Sequence, residues 1–392
     1  MDRVYLDHAS NTPLLPEVRE AMAPYLNGEF ANPSSLHGPG RRSSKALEEA
    51  RDKIASLIGA KSEEIIFTSC GTEANNFAMK GLTAANEKKG KHIIVSSIEH
   101  FSVLHAARRL ERQGYRVTRV PVDPTGWIDP QEVRRAIASD TILISIMHAN
   151  HEVGTIEPIH EIARIAKEHG ILFHTDAVAS CGTVPTNVVE LGVDTLTLTA
   201  NQFYGPVGAA ALYVRKGTKI FPFLDGGGQG EGRRSGTEDL PAIVGMGKAA
   251  ELALSQMEER TKHLLRLRDQ LIEGLLSVEE VYLNGHPTQR LPGHVSVAVV
   301  GVESEPLLLS FDMEGIFVAN GSACNSKAMK SSHVLQAMGV PEPLAQGTVM
   351  FTLGIGNREE EILVVLDVFP KVVERLRKLS RTHASQAVRS VK

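Results

Sequence analysis

The 392-residue chain is poor in cysteine, with three, and in tryptophan, with one. Cys70, Cys181 and Cys324 are too few for a disulfide scaffold and too far apart for a CxxC metal knuckle. They fit a reducing, cytoplasmic setting. Excess charge of one sign is also lacking. The 42 Lys+Arg and 46 Asp+Glu leave a net charge of −4, which gives no basic footprint for nucleic acid. No apolar run approaches the ~18 residues of a membrane span. The opening residues Met1-Asp2-Arg3-Val4-Tyr5-Leu6-Asp7 carry no apolar leader core, so neither a signal peptide nor a membrane partner is expected. The remaining composition, 42% hydrophobic and 22% charged, is that of a soluble globular chain of two or three domains.

Short β-rich runs at 65–67, 92–96, 117–122, 142–147, 171–173, 195–199 and 209–214, several of them nearly all apolar, alternate with helical patterns such as 102–113 and 158–169. Runs that are apolar throughout suit strands covered on both faces. Their alternation with helices predicts right-handed βαβ units and a mostly parallel seven-stranded sheet, an α/β fold. A long charged helix is expected over 240–276, broken near Gln256. Strands at 295–299, 317–318 and 349–353 and an amphipathic helix at 359–379 suggest a smaller α+β domain. The resulting division is a large domain over 14–255, a small domain over 1–13 and 256–380, and a disordered tail over 381–392.

Parallel sheets bind ligands at the carboxyl ends of their strands, so the residues there carry the functional question. Thr68-Ser69-Cys70-Gly71-Thr72-Glu73 reads as strand, turn and helix start. That is either a capped helix or a phosphate cradle, to which Thr72 would add a hydroxyl. Asp176 follows the 171–173 run and is either a cap or the partner of a protonated cofactor ring. His100 is either a satisfied hydrogen-bonding residue or a catalytic one. Gly226-Gly227-Gly228 and Arg233-Arg234-Ser235-Gly236-Thr237 form a loop rich in hydroxyls and cations. Cys324 sits among small residues, with Lys327 and Lys330 following, a setting that favours a reactive thiolate. Cys70 and Cys181 read as space-fillers beside turns.

These segments, in this order, resemble the cysteine desulfurases of the class V aminotransferase group, pyridoxal-phosphate (PLP) fold type I. The resemblance runs from Tyr5-Leu6-Asp7-His8-Ala9 to about Leu379. It rests on Asn32-Pro33-Ser34-Ser35, the 68–76 turn, Glu99-His100, the 147–154 segment, His174-Thr175-Asp176-Ala177, Tyr204-Gly205-Pro206, Arg234-Ser235-Gly236-Thr237, Tyr282-Leu283-Asn284-Gly285 and Gly321-Ser322-Ala323-Cys324. The long stretch from Cys324 to His333 is similar to the family's first group, whose cysteine loop delivers sulfur to an iron-sulfur scaffold protein. The resemblance implies a homodimer in which Thr237 reaches the neighbouring subunit's phosphate site. It also implies PLP bound as a Schiff base, with an Asp on its ring nitrogen and a His on its face. The loop cysteine would take the sulfur as a persulfide, and an Arg would hold the substrate carboxylate.

Five positions depart from this pattern. Gln202 stands where the Schiff-base lysine belongs, and an amide nitrogen cannot replace it, so covalent PLP is not expected. Asn201 replaces a His, Ala179 a Gln, His151 an Asn, and Met350 the carboxylate-binding Arg. Thr72, His100, Asp176, Thr199 and Thr237 remain as a vestigial cofactor-binding set.

The leading expectation is a desulfurase-like protein of iron-sulfur or sulfur-transfer biochemistry that does not form the Schiff base. It would present Cys324 to a scaffold or other acceptor as a sulfur carrier or as a ligand of a shared cluster. The alternatives are an active PLP-dependent desulfurase using Lys327 or Lys330, and a lyase or transferase with non-covalent PLP or its pyridoxamine form. A last alternative is a structural subunit whose old pocket is filled by Met350, His151 and Val207.

Overall fold

The computed structural model of the chain describes residues 3–321 and 332–389. Cys324, Lys327 and Lys330 lie outside the described residues. The strands are β1 (Val4–Tyr5), β2 (Ile65–Thr68), β3 (His92–Ser96), β4 (Arg116–Val120), β5 (Thr141–Ser145), β6 (Leu172–Asp176), β7 (Thr195–Thr199), β8 (Ala210–Val214), β9 (Val281–Asn284), β10 (His294–Val299), β11 (Ile316–Phe317) and β12 (Thr348–Thr352). Seven of them form one sheet in the order β2-β8-β7-β6-β5-β3-β4. Neighbours from β7 through β4 are parallel, and β8 runs antiparallel to both β7 and β2. β2 therefore points the same way as β7, and the carboxyl ends of β2, β3, β5, β6 and β7 share one edge.

Alternation along the strands sends side chains to both faces of the large sheet, which together make its core. Ile65, Phe67, Ile94, Ile144, Leu196, Leu198, Ala211 and Tyr213 face the helices Gly38–Ile58 and Ile159–Glu168 and the first half of Leu240–Leu276. Ile66, Ile93, Val95, Leu212 and Val214 face Gly71–Asn86 and Phe101–Glu111. Both faces being covered explains the nearly unbroken apolar runs.

A second core gathers around the antiparallel sheet β12-β10-β9 and the parallel pair β1-β11. There Phe311, Phe351 and Phe369 lie within about 6 Å of one another, Phe311 and Phe369 stacked and Phe351 edge-on to both. The start of the chain belongs to this core: Leu6 donates its N–H to Phe317 and accepts from Thr352.

Three boundaries differ from expectation. The 37-residue helix Leu240–Leu276 is continuous through Gln256. Gln256 has no breaking effect because its Oε1 accepts two hydrogen bonds from Arg260, one turn on. The strand expected to reach Val122 stops at Val120, because Pro121 has no N–H for the ladder. The last helix, Glu359–Arg389, runs past the expected tail boundary at 381, since no Gly or Pro follows Pro370.

One buried carboxyl links the strand ends. Glu99, fully buried after β3, accepts at Oε1 from Ser96 Oγ at 2.6 Å and from the Met147 N–H at 2.8 Å. Burial pushes it up from 4.5 to about 8; those hydrogen bonds oppose the rise and the Asp176 charge adds to it. The folded chain therefore holds a proton there that the unfolded chain releases. The stabilisation is complete below about pH 4.5 and is lost as pH rises to about 8. Replacing Glu99 with Gln removes this dependence. Urea unfolding of both proteins across that range should show wild type losing more stability than the variant as pH rises; parallel curves would refute the assignment.

Candidate functional site

A cavity of about 270 Å³ opens at the shared carboxyl edge of the large sheet, near the lower end of small-molecule sites at roughly 300 Å³. Thr72, His100, Asp176, Thr199, Asn201 and Gln202 all line it, as do Met350 and Gly321 from the second core's side.

Asp176 ends β6 and is buried. Its Oδ1 accepts from the Val178 N–H at 2.9 Å, and its Oδ2 from Asn75 Nδ2 at 2.6 Å. Asn75 also donates to Ser102 Oγ at 2.8 Å. His100 Nδ1 accepts the Ser102 N–H at 3.2 Å and is therefore unprotonated, so the Ser102 hydroxyl, 2.8 Å away, donates to it as well. Both donors fall on Nδ1, so the neutral imidazole carries its own proton on Nε2. Burial raises the Asp176 carboxyl above its usual range, against the pull of Val178, His100 and Asn75. A cationic N–H donor in the cavity would relieve that burial cost.

The Gly71–Asn86 helix starts directly after β2, aiming its free N–H groups at the same edge. Gly71 keeps it close: a Cβ there would come within 3.0 Å of both Thr199 and Val178. Cys70 corrects the space-filler reading. It is exposed, lines the cavity and caps this helix, its sulfur accepting from the Glu73 N–H at 3.4 Å. Burial works against ionisation of Glu73, yet hydrogen bonds from Arg234 and Ser69 hold its carboxyl below the usual range. Cys181 is a buried space-filler, and burial pushes its thiol up to about 12.

Gln202 is tied down. Its Nε2 donates to the Ala9 carbonyl at 2.9 Å, in the segment leading from the second core. Thr12 Oγ1 in that segment donates to the Asn201 carbonyl at 2.8 Å and accepts the Tyr204 N–H at 2.9 Å. These contacts hold Tyr204 at φ 71°, a left-handed conformation unusual for a bulky residue. Thr199 Oγ1 is buried in the cavity wall without a hydrogen-bond partner.

His151 lies edge-on to His100, 5.3 Å between ring centres. Burial, reinforced by His100, His333 and His294, drives it well below the ordinary imidazole range. Beside it Glu152 accepts from Ser332 Oγ, and burial lifts its carboxyl to about 7.

Thr237 is exposed and lines a different cavity, with Arg51, Ser69 and Arg234, apart from the Asp176 site of its own chain. One expectation fails on geometry. Val207 is 73% exposed and absent from the cavity wall, so it fills no pocket; the space beside Met350 and His151 stays open. The sequence reading gave no role to Asn75, although its spacing of four from Gly71 places it one helical turn in. Glu152 also escaped it, because its burial depends on Gly321 and Ser332, far away in the chain.

The model of the aminotransferase class-V family matches residues 4–365. The chain is 52% identical over 378 residues to the cysteine desulfurase IscS of Dictyoglomus turgidum, covering 96% of both chains. It is also 52% identical over 377 residues to the cysteine desulfurase IscS of Methanosarcina thermophila, covering 96% of this chain and 93% of the relative. Among solved structures, a NifS-like protein superposes with a TM-score of 0.89 at 36% identity, covering 96% of this chain and 99% of the other. With the sheet order, the strand-end cavity and these relatives in agreement, the chain belongs to the aminotransferase class-V family.

Proposed function

We propose that this chain mobilises cysteine sulfur, with PLP held in the Asp176 cavity by contacts rather than by a covalent bond to the chain. The observation that carries the proposal is the buried Asp176 carboxylate, braced by Asn75 and Val178 and raised by burial. It suits a protonated ring nitrogen. Thr72 and the N–H groups of the Gly71–Asn86 helix suit a phosphate, and the unpartnered Thr199 hydroxyl suits a polar ring substituent. Gln202 does not suit covalent attachment. Bound there, PLP supplies an electron sink for bond breaking in an amino-acid substrate.

The chain's own contribution is orientation. The Asn75–Ser102–His100 relay fixes the imidazole in one tautomer, with its proton on Nε2. Cys324, as thiolate, would form the S–S bond of a persulfide as the substrate's C–S bond breaks, leaving alanine once the carbon is protonated. The relatives named cysteine desulfurase support turnover of this kind. A second reading, favoured by Gln202 and Met350, is a sulfur carrier without turnover whose Cys324 receives sulfur from another protein or ligates a shared iron-sulfur cluster. In either case we propose a cytoplasmic homodimer, in which the exposed Thr237 of one subunit completes its neighbour's phosphate site. The partner is an iron-sulfur scaffold protein or another sulfur acceptor.

Equilibrium dialysis should find PLP bound to the chain, with no adduct surviving borohydride reduction and denaturation. Asp176→Asn should weaken that binding roughly ten- to hundredfold, the loss of a charge-assisted hydrogen bond of about 1.5–3 kcal/mol. Equal affinity would remove the cofactor assignment. Cys324→Ala should keep PLP binding but lose the persulfide that mass spectrometry detects after incubation with labelled cysteine. Alanine released from cysteine by the unsubstituted chain supports turnover; persulfide acquired only from a sulfur donor protein supports the second reading.

A further inference from the structure

A second, smaller cavity of about 40 Å³ lies against the first, and Ala9, Ala179, Gln202 and His294 line both. A single water needs roughly 10–15 Å³ by this measure, so the space suits an ion of two or three heavy atoms. Three buried polar atoms on its lining side chains have no hydrogen-bond partner: Arg260 Nη1, His8 Nδ1 and His294 Nε2. Arg260 is 7% exposed and His8 9%.

The rest of the Arg260 guanidinium is engaged. Nε and Nη2 both donate to Gln256 Oε1, at 3.1 and 2.8 Å, and Cζ sits 5.5 Å from the centre of the Tyr204 ring. These contacts fix the planar group and leave Nη1 free. Gln256 is neutral, and among the described residues no carboxylate forms an ion pair with Arg260. Burial lowers the guanidinium's pKa from its ordinary value, while the charges of Tyr204 and Glu17 act against that. A guanidinium stays charged in proteins, and a buried charge without a counter-ion is costly.

The geometry points to a binding site for one small monoanion, of halide or carboxylate size, with Arg260 Nη1 as its cationic donor. In the neutral rings His8 Nδ1 and His294 Nε2 are acceptors, because the other ring nitrogens donate to the Tyr5 and His151 carbonyls, so they suit a water bound beside the ion and leave Arg260 Nη1 as the ion's donor. Dicarboxylates and sugar acids exceed the space. The site needs no cofactor, so it stands independently of PLP binding. Through Gln202 and Ala9 it forms part of the wall behind the larger cavity.

Thermal unfolding of the full chain without added cofactor tests this at constant ionic strength, with sodium gluconate replaced stepwise by sodium chloride or sodium acetate. Gluconate is too large for the cavity. The midpoint should rise with the concentration of chloride, acetate or both, and the salt that acts identifies the ion. Arg260→Gln should raise the half-saturating concentration at least tenfold. Should that variant not fold, bromide soaked into crystals of the unsubstituted protein should give an anomalous peak within hydrogen-bond reach of Arg260 Nη1. Identical midpoints in all three salts, or no bromide at Arg260, would overturn the assignment.

Discussion

The site depends on the burial of one carboxylate at the end of β6. Asp176 can be buried there because its oxygens receive N–H donors from the chain just beyond it and from the second turn of the Gly71–Asn86 helix. An unsatisfied carboxylate in that position would cost several kcal/mol. The same Asn75 amide that satisfies Asp176 also reaches Ser102, and through it His100. The start of one helix, the end of one strand and the cap of a second helix are thus held by a single amide. The cavity takes its shape from that junction.

The opposite wall has another origin. Ala9 and Thr12 cross from the second core to grip Gln202, Asn201 and Tyr204. A lysine in place of Gln202 would exchange this neutral amide donor for a charged ammonium in the cavity wall. Gln202 therefore does more than lack reactivity, because it fastens the amino-terminal segment to the large sheet. Met350 acts similarly on the other side, where its backbone exchanges hydrogen bonds with Ala319 as its side chain lines the cavity.

Much of this was legible in the residues. All seven runs overlap strands of the large sheet, and those covered on both faces, such as β3 and β8, are the most continuously apolar, whereas β4 lies at the sheet edge and carries Arg116 and Arg119. Asp176, His100 and Thr72 could be found because parallel strands put functional groups at their carboxyl ends. β1, with two residues, is too short to show a period, and β9 has one face exposed at Tyr282. Cys70 was misread because exposure depends on what covers a turn, which local sequence does not encode. Arg260 looked like one more charge on a long helix. Its isolation follows from Tyr204 and the amino-terminal segment folding over it, contacts that only the tertiary structure creates.

The Leu240–Leu276 helix is about 55 Å long at 1.5 Å per residue. Its first half, to Ala253, is buried in the large-sheet core, and Leu264 to Leu275 lie in the second core. It is a single beam set into two walls. With no loop between them on that path, unwinding of the helix in one core reaches directly into the segment buried in the other. The amino-terminal segment crosses back the other way and adds a second tie. The two cores therefore unfold as one cooperative unit, and a protease attacking the native protein finds no hinge on this helix at which to part them.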